Sequence, residues 1–340
     1  MAFFRCVDVQ FLAPALAYVQ KGINMSAKIR LGISSCLLGN TVRYDGGHKM
    51  DHFLTGTLGQ YVEYVAVCPE VECGMPVPRE AMHLVGDPAS PRLVTIQTGI
   101  DKTSQMMNWA ERRVAELEKE NLMGFIFKSD SPSSGMERVK VYNEKNMAAP
   151  KGVGMFARVF MEHFPLLPVA EEGRLHDAEL RENFIERIFT LARWRVFLAG
   201  NTGLGGLVEF HAKHKLLILS HSAKHYQEMG RLVAGAKKIP LQKLYSEYQR
   251  QLMEGMKLKA TSKKNANVLM HMVGYFRNHL SAGEKTEMLD VIELYRKKQI
   301  PLIVPITLLN HYVRKFAHPY LKDQCYLNPH PVELQLRNHV

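Results

Sequence analysis

The chain has 340 residues, 46% hydrophobic and 23% charged, which suits a globular protein of about two domains. No run approaches the roughly 18 apolar residues of a membrane span, so a membrane-embedded function is excluded at this level. Charge is divided unevenly: residues 1–172 carry 18 Lys and Arg against 19 Asp and Glu, whereas residues 173–340 carry 26 against 14. The second half therefore bears a net +12, which points to an anionic partner, most often nucleic acid.

The opening residues 1–24 hold a short apolar patch broken by Asp8 and Pro14, with neither the basic start nor the unbroken core of a secretory signal. Residues 1–25 read as an N-terminal extension, with Met25 the expected natural start. Five cysteines, Cys6, Cys36, Cys68, Cys73 and Cys325, are an odd number in a chain without such a signal. That usage predicts a reducing, cytoplasmic setting and thiols that are free, catalytic or metal-bound.

From residue 28 to 172 short apolar runs alternate with helical patterns. Residues 28–35, 61–67, 92–97 and 124–129 read as strands. Met107, Ala110, Val114 and Leu117 form one helical stripe between the last two, and 152–164 reads as a helix opened by glycines. The alternation predicts an α/β domain over 26–172, a parallel or mixed sheet flanked by helices. From Asp177 nearly everything reads as helix, at 177–200, 207–221, 240–256, 265–280 and 285–298, so 173–340 is expected to be all-α.

The residues suited to chemistry sit just beyond the strands. One strand leads into Cys36, another into Cys68-Pro69-Glu70, and a third into Ser131-Pro132-Ser133-Ser134-Gly135. If these strands are parallel neighbours, their loops converge on one crevice. Two cysteines from different strand ends suggest a metal centre or a nucleophile with its partner, although buried inert thiols have the same spacing. Arg43 and Arg79 suit a phosphate or a base oxygen, or ion pairs with Asp45 and Glu80. Lys128 and Lys140, flanking the third loop, read as solvated. In the second half, His211, His214, His221 and His225 share one face of a continuous helical wheel, which Ser220 and Ser222 would break. The lysines around them disfavour a metal and favour RNA-backbone contact or interhelical hydrogen bonds. Lysine clusters in loops, Lys263-Lys264 among them, are candidates for phosphate contact, while most Tyr and Phe at helical spacing belong to a core.

The set Ser35-Cys36-Leu37-Leu38-Gly39, Arg43-Tyr44-Asp45-Gly46-Gly47, Cys68-Pro69-Glu70, Gly74-Met75-Pro76, Pro78-Arg79-Glu80, Thr98-Gly99-Ile100-Asp101 and Ser131-Pro132-Ser133 resembles the TudS-type thiouracil desulfidase family. The second half is similar to the YbgA-type helical domain at Phe210-His211, Tyr226, Asn267-Val268-Leu269, His271, Gly274-Tyr275-Phe276, Pro301-Leu302-Ile303-Val304-Pro305 and Tyr326–Pro331. Together they resemble the RudS-type tRNA thiouridine desulfidases. The resemblance implies a 4Fe–4S cluster held by three cysteines, with an open iron that takes the sulfur of a thiolated pyrimidine base. It implies tRNA as the partner and 4-thiouridine as the base, converted to uridine. It places Cys36 and Cys68 as ligands, Glu70 as acid–base carboxylate and Ser131 as assisting hydroxyl. The family's third ligand is a cysteine where this chain has Ser134, a poor substitute for a thiolate; Cys73 is a possible stand-in. Two other outcomes stem from that departure and from the fusion: a cluster-deficient, catalytically impaired RNA-binding protein, or a desulfidase of free thiouracil.

Overall fold

The computed structural model describes residues 28–200 and 203–339, so the expected N-terminal extension and Cys6 lie outside the described residues. Two compact units are formed, one from Lys28 to Asp177 and one from Ala178 onward.

In the first unit β1 (Ile29–Ser34), β2 (Val62–Val67), β5 (Phe125–Phe127) and β8 (Val169–Glu171) form a parallel sheet in the order β2-β1-β5-β8. β1 and β5 are buried along almost their whole length, as strands covered on both faces must be. Their cover includes α2 (Thr103–Leu117) and α3 (Met155–His163), whose apolar faces supply Trp109, Val114, Phe156 and Phe160 to the core. Phe125 packs on Phe160 at 4.6 Å and on Phe127 at 4.4 Å between ring centroids. Gly32 of β1 admits that ring, since a Cβ there would lie 2.2 Å from Phe125.

A second sheet holds β3 (Met82–Val85), β4 (Arg92–Thr95), β6 (Val139–Tyr142) and β7 (Ala148–Gly152), in the order β4-β3-β6-β7. The strand expected at 92–97 therefore pairs antiparallel with β3 and does not join the parallel sheet. Periodicity identifies a strand but not its partner; here β3 pairs with β4 across a short connection and leaves the parallel sheet to β1 and its neighbours.

The second unit is helical: α4 (Ala178–Ala199), α5 (Gly203–His221), α6 (Ala223–Ala234), α7 (Leu241–Lys257), α8 (Ser262–Gly274), α9 (Ala282–Arg296) and α10 (Ile303–Lys315). Extended Ser222 separates α5 from α6 and caps the latter, its hydroxyl accepting the His225 N–H. The histidine wheel is thus broken at that serine. Helices α6 and α10 are additional to the five helices read from the sequence. Trp194 stacks on Tyr248 at 4.9 Å in the core of this unit, and no helix among the described residues is long and apolar enough to cross a membrane.

Candidate functional site

β1 has β2 on one side and β5 on the other, both parallel to it, so three strand ends open at the same edge of the sheet. β1 turns at Ser35–Leu38 and presents Cys36. β2 ends at Val67; Cys68 then precedes α1 (Pro69–Glu72), a one-turn helix with proline at its first position. β5 delivers Lys128 to Ser134. Cys36, Arg43, Cys68, Glu70, Arg79, Ser131 and Ser134 all line one crevice of about 390 Å³.

The serine loop is docked on the start of α3. Pro132 O accepts the Met155 N–H at 3.0 Å, and Ser133 O accepts those of Phe156 at 2.9 Å and Ala157 at 3.2 Å. These bonds satisfy donors that the first turn of any helix leaves open. The approach is so close that a Cβ on Gly154 would lie 2.6 Å from the Ser133 backbone carbon, which is why glycine precedes α3.

Docking places three side chains in a directional chain. Ser133, 1% exposed, donates its hydroxyl proton to Glu70 Oε1 at 2.8 Å. A hydroxyl has one proton, so in the 3.0 Å contact between Ser131 Oγ and Ser133 Oγ it is Ser131 that donates. Ser131 Oγ accepts the backbone N–H groups of Ser134 at 3.1 Å and Ser133 at 3.3 Å. The other Glu70 oxygen, Oε2, is paired with the Arg79 guanidinium, which also donates to Val42 O at 3.0 Å and Pro76 O at 3.3 Å. Arg79 was expected to hold substrate or to pair with Glu80. It is instead almost fully buried and committed to Glu70, while Glu80 accepts from Gln97 and Thr98.

Burial pushes the Cys36 thiol up to about 11, with the nearby Cys68 adding to the effect, and burial likewise raises Cys68. Cys73 is not among the crevice-lining residues; its Sγ lies 3.3 Å from Glu70 O, and burial, then Glu70, push it to about 11. Ser134 is 4% exposed and lines the crevice in the third position. Arg43 pairs with Asp45 at 3.4 Å and lies 5.3 Å from the Tyr44 ring centroid, leaving a cation and an aromatic face at the crevice. Lys128, read as solvated, bonds Glu172 and both the carbonyl and hydroxyl of Ser129, whereas Lys140 is exposed as expected. Ser133 was part of a motif but carried no assigned role; only its contact with Glu70, 63 residues away, shows one.

In the helical unit Lys263 is exposed. Lys264 is not free for a phosphate: its Nζ donates to His221 O at 2.7 Å and Lys259 O at 2.8 Å. The histidines make structural bonds. His211 meets the Tyr248 hydroxyl at 3.1 Å, His214 takes the Arg193 Nε–H at 3.0 Å, His221 meets Glu186 at 2.9 Å and His225 meets Ser222 at 2.9 Å.

A family model described as 2-thiouracil desulfurase matches residues 31–172, and one described as a protein of unknown function, DUF1722, matches residues 215–331. The chain is 29% identical over 153 residues to the uncharacterized protein YbgA of Escherichia coli strain K12, covering 45% of this chain and 90% of that protein. It is 30% identical over 108 residues to the uncharacterized protein YbbK of Bacillus subtilis strain 168, covering 30% and 71%. A solved structure titled as the 4Fe-4S-dependent thiouracil desulfidase TudS shares 29% identity, covering 44% of this chain and 95% of that one with a TM-score of 0.37.

Proposed function

Because the chain belongs to the 2-thiouracil desulfurase family through residues 31–172, we propose that it removes sulfur from a thiolated uracil, 4-thiouridine in tRNA, leaving uridine. The observation that carries this reading is the Ser131–Ser133–Glu70 chain lying beside Cys36 and Cys68 in one crevice. Replacing sulfur by oxygen at a pyrimidine carbon requires water to lose a proton as it attacks and the departing sulfur to be stabilised. Glu70 is the acceptor for the first task. Arg79 fixes its Oε2, and Ser133 holds its Oε1, so the carboxylate is oriented before substrate arrives. Ser131, donating toward Ser133, extends the route by which a proton reaches Glu70. Arg43 beside Tyr44 offers the cation and the ring face that suit a nucleotide whose base has left its stack.

The family resemblance calls for a 4Fe–4S cluster on three thiolates. The donors at the crevice are Cys36, Cys68 and the Ser134 hydroxyl, one thiol short, and a serine hydroxyl ionises too weakly to replace it. The donor set therefore does not fit a complete cluster, and the roles given above belong to the protein's own groups. This mismatch favours a second reading, an RNA-binding protein of reduced catalytic capacity. The basic helical unit, with exposed Lys237, Lys238 and Lys263, supports tRNA as the partner in either case.

The test is iron and acid-labile sulfide per chain after anaerobic reconstitution, with turnover of 4-thiouridine in tRNA and of free thiouracil, for the unsubstituted chain beside Ser134→Cys. We expect the cysteine variant to hold a full cluster and to act on tRNA. A full cluster in Ser134→Cys without turnover of either substrate would overturn the desulfidase reading. Turnover of the free base alone would remove tRNA from it.

A further inference from the structure

In the helical unit a second polar cluster lies outside the desulfidase crevice. Glu182 and Glu186, four residues apart on α4, bring carboxylate oxygens within 4.8 Å of each other and of a ring nitrogen of His330. Spacing of i and i+4 puts both carboxylates on one helix face. Glu186 is 3% and His330 6% exposed.

The hydrogen bonds show what is missing. Arg337 donates through Nε to Glu182 Oε1 at 3.0 Å and through Nη2 to Glu186 Oε1 at 2.9 Å. His221 Nε2 reaches Glu186 Oε2 at 2.9 Å, while its Nδ1 lies 2.7 Å from Leu258 O; both nitrogens face acceptors and therefore donate. His339 Nε2 lies 3.7 Å from Glu182 Oε2. His330 is different. Its Nδ1 meets a carbonyl, Pro331 O at 3.1 Å, and so carries the ring proton. That leaves Nε2 as a bare lone pair, and this buried atom has no hydrogen-bond partner. A buried acceptor without a donor costs about 1–3 kcal/mol and is uncommon in native proteins. Here it belongs to the histidine that sits with two carboxylates, and Arg337 donates to both of them but not to it.

We propose that Glu182, Glu186 and His330 bind a divalent transition-metal ion, with Arg337 and His221 as outer partners that orient the carboxylates. Two carboxylates and one neutral imidazole suit an ion of intermediate hardness, such as Mn²⁺, Fe²⁺ or Zn²⁺. Carboxylate ligands are themselves commonly hydrogen-bonded in this way. A cavity of about 40 Å³ beside Glu182 and Glu186, also lined by Asn183, Asn265 and Tyr295, supplies room for water on the ion. The ion would join α4 to the segment that carries His330. The proposal does not depend on the desulfidase reading.

Mn²⁺ is the probe, because the thiols elsewhere in the chain are too soft to compete for it. The full chain, stripped with chelator and desalted, is titrated with Mn²⁺ while the free-ion electron paramagnetic resonance signal is followed. One ion per chain is expected, with nitrogen hyperfine coupling from His330 in pulsed spectra. Affinity should fall on the order of 100-fold in His330→Gln and in Glu182→Gln, and stay unchanged in Cys36→Ser/Cys68→Ser. Absence of binding, binding without nitrogen coupling, or binding untouched in both ligand variants would overturn the proposal. The hyperfine measurement uses the unsubstituted chain, so it decides the matter even if a variant fails to fold.

Discussion

Glu70 and Ser133 meet at 2.8 Å on a crevice between strand ends, whereas Glu186 and His221 meet at 2.9 Å inside a helical core where neither is appreciably exposed. Both are carboxylates with a hydrogen-bond donor on one oxygen and an arginine on the other. The difference lies in what surrounds them. At Glu70 the partners come from loops at one sheet edge, and the chain of hydroxyls continues to Ser131 along the crevice. At Glu186 the partners come from positions 35 and 151 residues away, and the bonds tie the first helix of the unit to its last residues. A charge held at a crevice stays available for chemistry, while a charge enclosed by its partners holds the fold together.

The sharpest way to break this contrast is to remove each arginine-linked network in turn. Arg337→Met leaves the buried Glu186 and the half-buried Glu182 without their cation, and such losses cost about 3–5 kcal/mol. Chemical denaturation followed by Trp194 fluorescence in a Trp109→Phe chain should register that loss. A change below about 1 kcal/mol would mean that the helical cluster is not structural. Ser133→Ala should behave in the opposite way. In the Ser134→Cys chain, kcat is expected to fall roughly 100-fold, the scale of a misplaced general base. Stability should change by only about 1 kcal/mol, the net worth of one hydrogen bond. Unchanged kcat would show that Glu70 does not depend on Ser133 for its orientation.

The same contrast explains what was legible in the sequence. The crevice could be anticipated because its residues come directly after their strands: Cys36 two residues after β1, Cys68 one after β2, and Ser131 four after β5. Periodicity located the strands, and parallel neighbours force their ends together. The strand at Arg92–Thr95 was legible as a strand but not as a member of the second sheet, because pairing depends on residues elsewhere in the chain. The partner of Arg79 was not legible either. Adjacent Glu80 looks like the natural counter-ion, yet the α1 turn carries Glu70 closer. In the helical unit the histidine face dissolved at Ser222, and the contacts that replaced it, such as His221 to Glu186, leave no local pattern.

A pH experiment sharpens the crevice side of the comparison by a smaller effect. Burial holds the Cys36 thiol protonated up to about 11, against an ordinary value of 9.0. Only the thiolate is alkylated, so a raised value shifts reactivity to higher pH. Iodoacetamide labelling at Cys36, followed by peptide mass spectrometry, should climb about tenfold per unit from pH 8 to 10 rather than level off near 9. A plateau at the ordinary value would mean that the crevice leaves this thiol hydrated.

The smallest effect separates two adjacent lysines that look interchangeable in the sequence. Lys263 is exposed, with its ammonium open to an anionic partner; Lys264 donates to the carbonyls of His221 and Lys259 and closes the end of α5 against the start of α8. If tRNA lies on this face, Lys263→Gln should reduce the slope of log affinity against log salt by about 1, since one phosphate contact releases about one counterion. Lys264→Gln should leave that slope unchanged and lower stability by about 1 kcal/mol, because two carbonyls lose their donor. Filter binding of tRNA across a salt series, paired with denaturation of the same two variants, reads both quantities. The reverse assignment, with Lys264 setting the salt slope, would place the anion contact on the interhelical side of α8 and remove the distinction drawn between the two residues.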